Sequence, residues 1–488
     1  MHDLKQRTVR GGAARVGAQA ANFVLRLGSL MILARLLSPK DFGLVGMVTA
    51  VTGVLSLFRD FGLSAATVQR PEVTEEQMST LFWINLLVGA LLGVIGVAGA
   101  PAIAAFYHEP KLVSIGAALS LGFVFNAAGV QHSALLQRQL RFTALSVINV
   151  IALVISSAAA IGVARAGYGY WSLVAMSVVL PLASSAGFWL TAQWIPGRPR
   201  RGIGIRSMMR FGGGLTLNSL LAYASYNTEK VLLGRYWGAA AIGIYGRAYQ
   251  LINIPTENLN SSVGEVAFSA LSRIQNEPLR LKSYFLKGYA LVLGLTLPIT
   301  IACALFADDL ILVLLGPKWK DAAKIFRLLA PTIAIFAVIN PIGWLLYSLG
   351  MVGRSLKIAT ACAPIMVAGY ILGMPYGPSG VALAYSAVMS AMVLPFIAWC
   401  VHGTVITFRD VLVTVSRPLA SALLAGLVAF WLGTSFLGGF AAWARLGVEG
   451  TVLLLLYSVL LLFVTGQKSL YLDLLKTSRS PSTVSASS

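Results

Sequence analysis

Residues Leu33–Gly46, "LARLLSPKDFGLVG", and residues Leu233–Gly246, "LGRYWGAAAIGIYG", stand 200 positions apart and align without a gap. The register pairs Leu33 with Leu233, Arg35 with Arg235, Gly43 with Gly243 and Gly46 with Gly246. Upstream it also pairs Arg10 with Arg210 and Gly12 with Gly212. Each copy straddles the turn between two long apolar runs, so the two stretches mark equivalent hairpins of a duplicated unit.

Outward from these hairpins, apolar runs recur along the whole chain. Hydrophobic residues make up 57% and charged residues only 11%, with a mean hydropathy of +0.79. A water-soluble chain carries about a quarter charged residues. Runs bounded by Pro, Gly and charge give fourteen spans, each able to cross a hydrocarbon core of ~30 Å. The first six cover 11–36, 41–64, 77–102, 111–133, 143–164 and 168–195. Six more cover 208–236, 239–264, 284–306, 322–349, 355–373 and 378–402, and 411–433 and 446–466 close the chain. The fold class is therefore an all-α polytopic membrane protein. An even number of spans between the copies gives both the same orientation. That is a parallel repeat related by an axis along the membrane normal. The expected organisation is a six-helix lobe over 1–197, a basic linker over 198–207 and a second lobe over 208–403. Two further helices over 404–470 and a Ser-rich, disordered tail over 471–488 follow.

The net charge of +20 does not gather on any soluble segment. Assigning loops alternately to two sides puts 23 Lys and Arg on one and ten on the other, with the cluster "GRPRRGIGIRSMMR" on the richer side. Positive residues mark cytoplasmic loops, so both termini are expected in the cytoplasm and the charge records topology, not nucleic acid. No loop outside the spans exceeds about twenty residues, which leaves no room for a soluble catalytic domain. The first residues lack a short apolar core with a small-residue cleavage site, so no cleaved leader is expected. Cys303, Cys362 and Cys400 all fall in apolar spans and read as packing residues.

Polar residues inside the spans form stripes. In the first span Arg15, Gln19, Asn22, Arg26 and Ser29 follow spacings of 4, 3, 4 and 3, which places them on one helical face. A polar helix–helix seam would account for such a face. Arg26, though, lies about 22 Å along the helix from Gly11, deep for a side chain that merely reaches back to water. The eighth span carries Arg247, Gln250, Asn253, Glu257 and then Asn260 or Ser261, with Pro255 expected to kink it. The seventh carries Asn218–Ser225–Glu229 and Ser219–Tyr223–Tyr226–Lys230. The second carries Thr49, Thr52, Ser56 and an interfacial Arg59–Asp60 pair. Ionisable residues within spans face a bundle interior or a water-filled path. Spans 1, 2, 7 and 8 are thus expected to line a central cavity. Its guanidinium groups, Arg26 and Arg247, suit a phosphate-bearing substrate through paired donors. Lys230 would add to the cationic wall, and Glu229 would pair with an arginine or carry a coupling proton; alternatively the two lie within ~9 Å of the outer end and both reach for water.

Other chemistries find no footing. There is no G-x-x-x-x-G-K-[ST] loop. His2, His108, His132 and His402 are scattered and make no metal constellation. "FGGGL" at Phe211 follows no strand and fits close helix packing. No cofactor, no metal and no enzymatic centre is expected.

The stretch "NTEKVLLGRYWGAAAIGIYGRAYQLINIPTENLNSSVGEVAFSALSR" resembles the polysaccharide-exporting flippases of the multidrug/oligosaccharidyl-lipid/polysaccharide superfamily, in the Wzx-type branch that exports colanic acid and succinoglycan. Asn227, Gly234, Arg235, Gly243, Tyr245, Ala248, Tyr249 and Pro255 carry the match. "ARLLSPKDFGLVGMVTAVTGVLSLFRDFGLSAATVQR" and "QRQLRF" match as well. The branch typically has Arg before that Asn and Asp two residues after it. Tyr226 and Glu229 stand here instead, with Lys230 following, so a carboxylate is kept and a positive charge moves by one helical turn.

The resemblance implies flipping of undecaprenyl-diphosphate-linked oligosaccharide across the bacterial inner membrane by alternating access. The glycan and phosphates would pass through a cationic cavity between the lobes while the tail stays in membrane lipid. It implies substrate contacts at Arg26, Arg247, Lys230, Asn22, Gln19, Gln250 and Asn253, and ion coupling at Glu229 and Glu257. The partners implied are the polymerase and co-polymerase of the same pathway. A cation-coupled drug exporter of the same superfamily is the alternative, but it would carry carboxylates and few cations in its cavity. A membrane glycan polymerase or ligase would need a large outer loop, and a transport-dead scaffold would not need the stripes.

Overall fold

The computed structural model describes residues 2–58, 67, 73–200 and 206–468. Over 2–16, 18, 206–222, 224–226, 256–263, 265–266, 352 and 356 the backbone alone is described. Among these residues every element is helical. Contacts gather the chain into two units, Met1–Gly246 and Arg247–Ser488. The first holds α1 (His2–Leu36), α2 (Pro39–Leu57), α3 (Glu75–Tyr107), α4 (Lys111–Arg138), α5 (Phe142–Arg165), α6 (Trp171–Ala192) and the first limb of α7 (Arg206–Arg273). The second holds the rest of α7, then α8 (Pro278–Leu305), α9 (Ala307–Leu314), α10 (Lys320–Leu329), α11 (Pro331–Ser348), α12 (Val352–Gly373), α13 (Gly377–Val401), α14 (Phe408–Phe436) and α15 (Ala442–Val459).

Ten stretches among the described residues are long and apolar enough to cross a membrane. One of them, Gly353–Val401, contains both α12 and α13. α1 and the two limbs of α7 lie where the remaining spans are expected from the sequence. The tenth span is shorter than the sequence predicts: Lys320–Leu329 is a separate amphipathic helix, and Pro331 opens α11 as its first residue. Proline fits that position because its missing N–H would have no partner there. In α7 the backbone breaks at Gly238 (φ 78°, ψ −175°) and keeps helical dihedrals through Pro255. Only glycine adopts that φ without strain. The hairpin of the second repeat is thus a single residue wide.

Capping boxes set three helix starts. Ser38 accepts from the Asp41 N–H while the Asp41 carboxylate takes the Ser38 N–H at 2.9 Å. Thr74 with Gln77 and Thr407 with Asp410 repeat the device before α3 and α14. Each satisfies donors the helix itself leaves open. The surfaces of the long helices are apolar where they are exposed: Leu87, Val94, Leu190 and Leu372 are 65–78% exposed. Such side chains belong in lipid, where exposure costs nothing.

The repeat seen in the sequence returns as a contact inside the first unit. A Cβ placed on Gly43 would fall on the carbonyl of Ala239, and a Cβ on Gly243 would fall on the carbonyl of Pro39. Residue 239 is the repeat mate of residue 39, and residue 243 that of residue 43. The pairing is therefore reciprocal, the mark of a two-fold relation. The start of α2 and the start of the second limb of α7 cross backbone to backbone, and glycine alone permits it.

Candidate functional site

Within the first unit α1, α2, α4, α5 and α6 enclose a cavity of about 630 Å³. Arg26 and Asn22 of α1 line it together with Thr49, Thr52 and Ser56 of α2. Of the α1 stripe, Ser29 is buried with its hydroxyl donating to the Arg26 carbonyl at 3.0 Å. Asn22 is half-buried and Arg26 exposed. Gln19 is exposed and does not line the cavity. Arg15 lies outside the residues whose side chains are described, and the Arg59–Asp60 pair lies outside the described residues altogether.

The first limb of α7 is keyed to α2 by Tyr223. Its hydroxyl donates to the carbonyls of Thr49 (3.3 Å) and Ala50 (3.2 Å), in the space left by Gly53. One turn on, Asn227 Nδ2 donates to the Tyr223 carbonyl at 3.0 Å. Lys230 Nζ in turn donates to Asn227 Oδ1 at 2.8 Å. Glu229 is fully buried. Its Oε1 lies 3.9 Å from Lys230 Nζ, and its Oε2 has no hydrogen-bond partner among the described residues. The lysine thus spends its short bond on an amide and faces the carboxylate as a charge only. Arg235, the repeat mate of Arg35, contacts His108 Nδ1 at 2.6 Å and lies over the Phe106 ring.

In the second unit Arg247 Nη1 donates to Gln250 Oε1, one turn along the same face of α7. Asn253 continues that face and is half-buried. The side chains of Glu257, Asn218, Ser219 and Tyr226 lie outside those described. The structure therefore brings Asn22 with Arg26, Glu229 with Lys230, and Arg247 with Gln250.

Two sets of residues escaped the reading of the stripes. One is the pair Asn126 and Asn149, which line the first-unit cavity from α4 and α5. The other is in the second unit, where Asp309 of α9 takes Arg445 of α15 bidentately, Nε to Oδ2 at 2.5 Å and Nη2 to Oδ1. Buried Glu449 sits one turn on from Arg445, in room left by Gly433. Glu449 falls inside the fourteenth span, so the rule that singled out Glu229 applies to it equally. Among the described residues no group of three or more His, Cys, Asp or Glu could hold a metal ion.

Comparison with known proteins places the chain in a family and a fold. Residues 32–324 match the family described as polysaccharide biosynthesis protein. The chain is 29% identical over 375 residues to the teichuronic acid biosynthesis protein TuaB of Bacillus subtilis (strain 168), covering 71% of this chain and 77% of that one. It is 26% identical to the lipopolysaccharide biosynthesis protein WzxC of Escherichia coli (strain K12), with 78% of each covered. It is 25% identical to the succinoglycan biosynthesis transport protein ExoT of Rhizobium meliloti (strain 1021), covering 85% and 84%. Among solved structures, the lipid II flippase MurJ in an inward closed conformation superposes with a TM-score of 0.74 at 15% identity. That match covers 96% of this chain and all of MurJ. An inward-facing multidrug resistance MATE transporter reaches 0.61 at 16% identity, covering 78% of this chain and 93% of its own. At such identities these two establish the fold.

Proposed function

The chain belongs to the polysaccharide biosynthesis protein family, and from that premise we propose that it flips undecaprenyl-diphosphate-linked oligosaccharide from the inner to the outer face of the bacterial inner membrane. The observation that carries the reading is Arg26, a guanidinium at membrane depth on a cavity otherwise lined by amides, hydroxyls and apolar groups. A diphosphate meets a guanidinium through charge-assisted, paired hydrogen bonds. A cationic drug would find no carboxylate among the residues lining that cavity. The chain acts as a transporter and not as an enzyme.

In this reading Arg26 and Arg247 hold the diphosphate, each within its own repeat. Lys230, Asn22, Gln19, Gln250 and Asn253 contribute further polar contacts along its path. The two repeats rock about the axis of the duplication, so that access alternates between the faces. Glu229 and Glu257 couple the cycle to an ion gradient. The loop charges support cytoplasmic termini, and polymerase and co-polymerase receive the glycan outside.

The test is the sidedness of lipid-linked glycan in cells lacking the gene, probed with a membrane-impermeant lectin. Glycan held at the cytoplasmic face, released by the intact gene and not by Arg26→Ala, is the expected result. Normal delivery to the outer face without the gene would overturn it.

A further inference from the structure

We propose that the first-unit cavity is a saccharide subsite, in which Asn126 and Asn149 read the sugar next to the diphosphate; this rests on the lipid-linked glycan reading above. The argument starts from what the cavity wall can still offer. Most of its hydroxyls have spent their protons on their own helices. Ser120 donates to the Gly116 carbonyl at 2.7 Å, Ser177 to Leu173 at 2.8 Å and Ser184 to Leu180 at 2.8 Å. Thr52 donates to Val48 at 2.9 Å in the same manner. A hydroxyl that has donated keeps its lone pairs, so what these residues can still offer a ligand is an acceptor.

Asn126 adds a carbonyl oxygen that is shielded and has no hydrogen-bond partner among the described residues. A buried polar atom left unpaired costs about as much as a lost hydrogen bond. Asn126 lines the cavity, so a turn of its amide would bring this unmet oxygen to a ligand donor there. Asn149, from the neighbouring helix, brings a second amide to the same space.

Among the described residues the wall is therefore rich in acceptors, and its charged group is Arg26, with no carboxylate. The matching ligand presents several hydroxyl donors around a compact body and one anionic group toward the guanidinium. That is a pyranose on a phosphate. An acyl chain would offer these oxygens no donor, and an organic cation would be repelled by Arg26. Phe123 and Pro181 supply the apolar patch that the C–H face of a sugar ring needs. About 630 Å³ falls inside the range of sites that enclose small ligands.

The experiment compares two probes on the full chain in lipid nanodiscs: undecaprenyl diphosphate, and the same carrier bearing one galactose. The wild type is expected to bind the galactosylated carrier more tightly. Asn126→Leu and Asn149→Leu should each weaken that binding about tenfold, the size of one good hydrogen bond. Both should hold the bare carrier as the wild type does, which also reports that they are folded. Equal affinity of the wild type for the two carriers would overturn the subsite. So would a parallel loss of both carriers in Asn126→Leu and the milder Asn126→Ser alike. A wild type that binds neither carrier would instead overturn the flippase reading itself.

Discussion

Two of the three buried carboxylates among the described residues, Asp309 and Glu229, are treated by their neighbouring cations in opposite ways. Asp309 gives both its oxygens to Arg445. Glu229 keeps its neighbour Lys230 at 3.9 Å, loses that lysine's hydrogen bond to Asn227 and leaves Oε2 without a hydrogen bond among the described residues. The first arrangement is complete and joins α9 to α15, so its role ends in holding the second unit together. The second leaves one oxygen open, among the described residues, at a fully buried position. That opening supports the proposal that Glu229 changes its proton or ion occupancy, since an ionisable group inside a span bears a cost that packing alone does not explain.

The largest break in that comparison should come from Arg445→Ala. Asp309 would be left buried without its cation, with Glu449 close by, and removing one partner of a buried pair costs about 3–5 kcal/mol. Thermal unfolding of the purified protein in detergent should show a large drop; an unchanged midpoint would deprive the pair of its structural role. Next comes Gly433→Ala, whose Cβ would fall on the Glu449 carboxylate. Overpacking of this kind costs about 1–3 kcal/mol, readable in the same unfolding assay. Smaller still in stability, yet decisive for function, is Glu229→Gln. An amide removes the buried charge, so unfolding should stay level or improve while export in membrane vesicles loses its dependence on the ion gradient. A strong loss of stability would return Glu229 to the structural class. Glu277→Gln, at the exposed pair with Arg280 (3.1 Å), should leave the midpoint unmoved and so calibrate the other three.

Much of this was legible in the residues. Apolar runs of helical length yielded the spans, because lipid leaves the backbone few alternatives. The stripe on α1 placed Asn22 and Arg26 together, since i and i+4 share a helical face. The join at Leu329–Pro331 was lost because the amphipathic turn "KDAAKIFRLLA" flows into the next apolar run with no polar break. Asp309 and Arg445 stand 136 residues apart, and no local period links them. Asn126 is a lone amide in "VFNAAGV"; its meaning comes from the cavity, which only packing creates.

The glycine crossing at Gly43 and Gly243 has an evolutionary reading. After a duplication, two copies of a segment usually drift apart, each answering to its own surroundings. Here each copy's glycine accommodates the other copy's backbone, so a single methyl group gained in either half obstructs one shared crossing. No compensating change of side chain elsewhere can make that room, because the obstructing atoms are carbonyls. The two codons are thus held under one constraint across 200 positions, and this is why the duplication is still readable at that register when most of its neighbours have diverged.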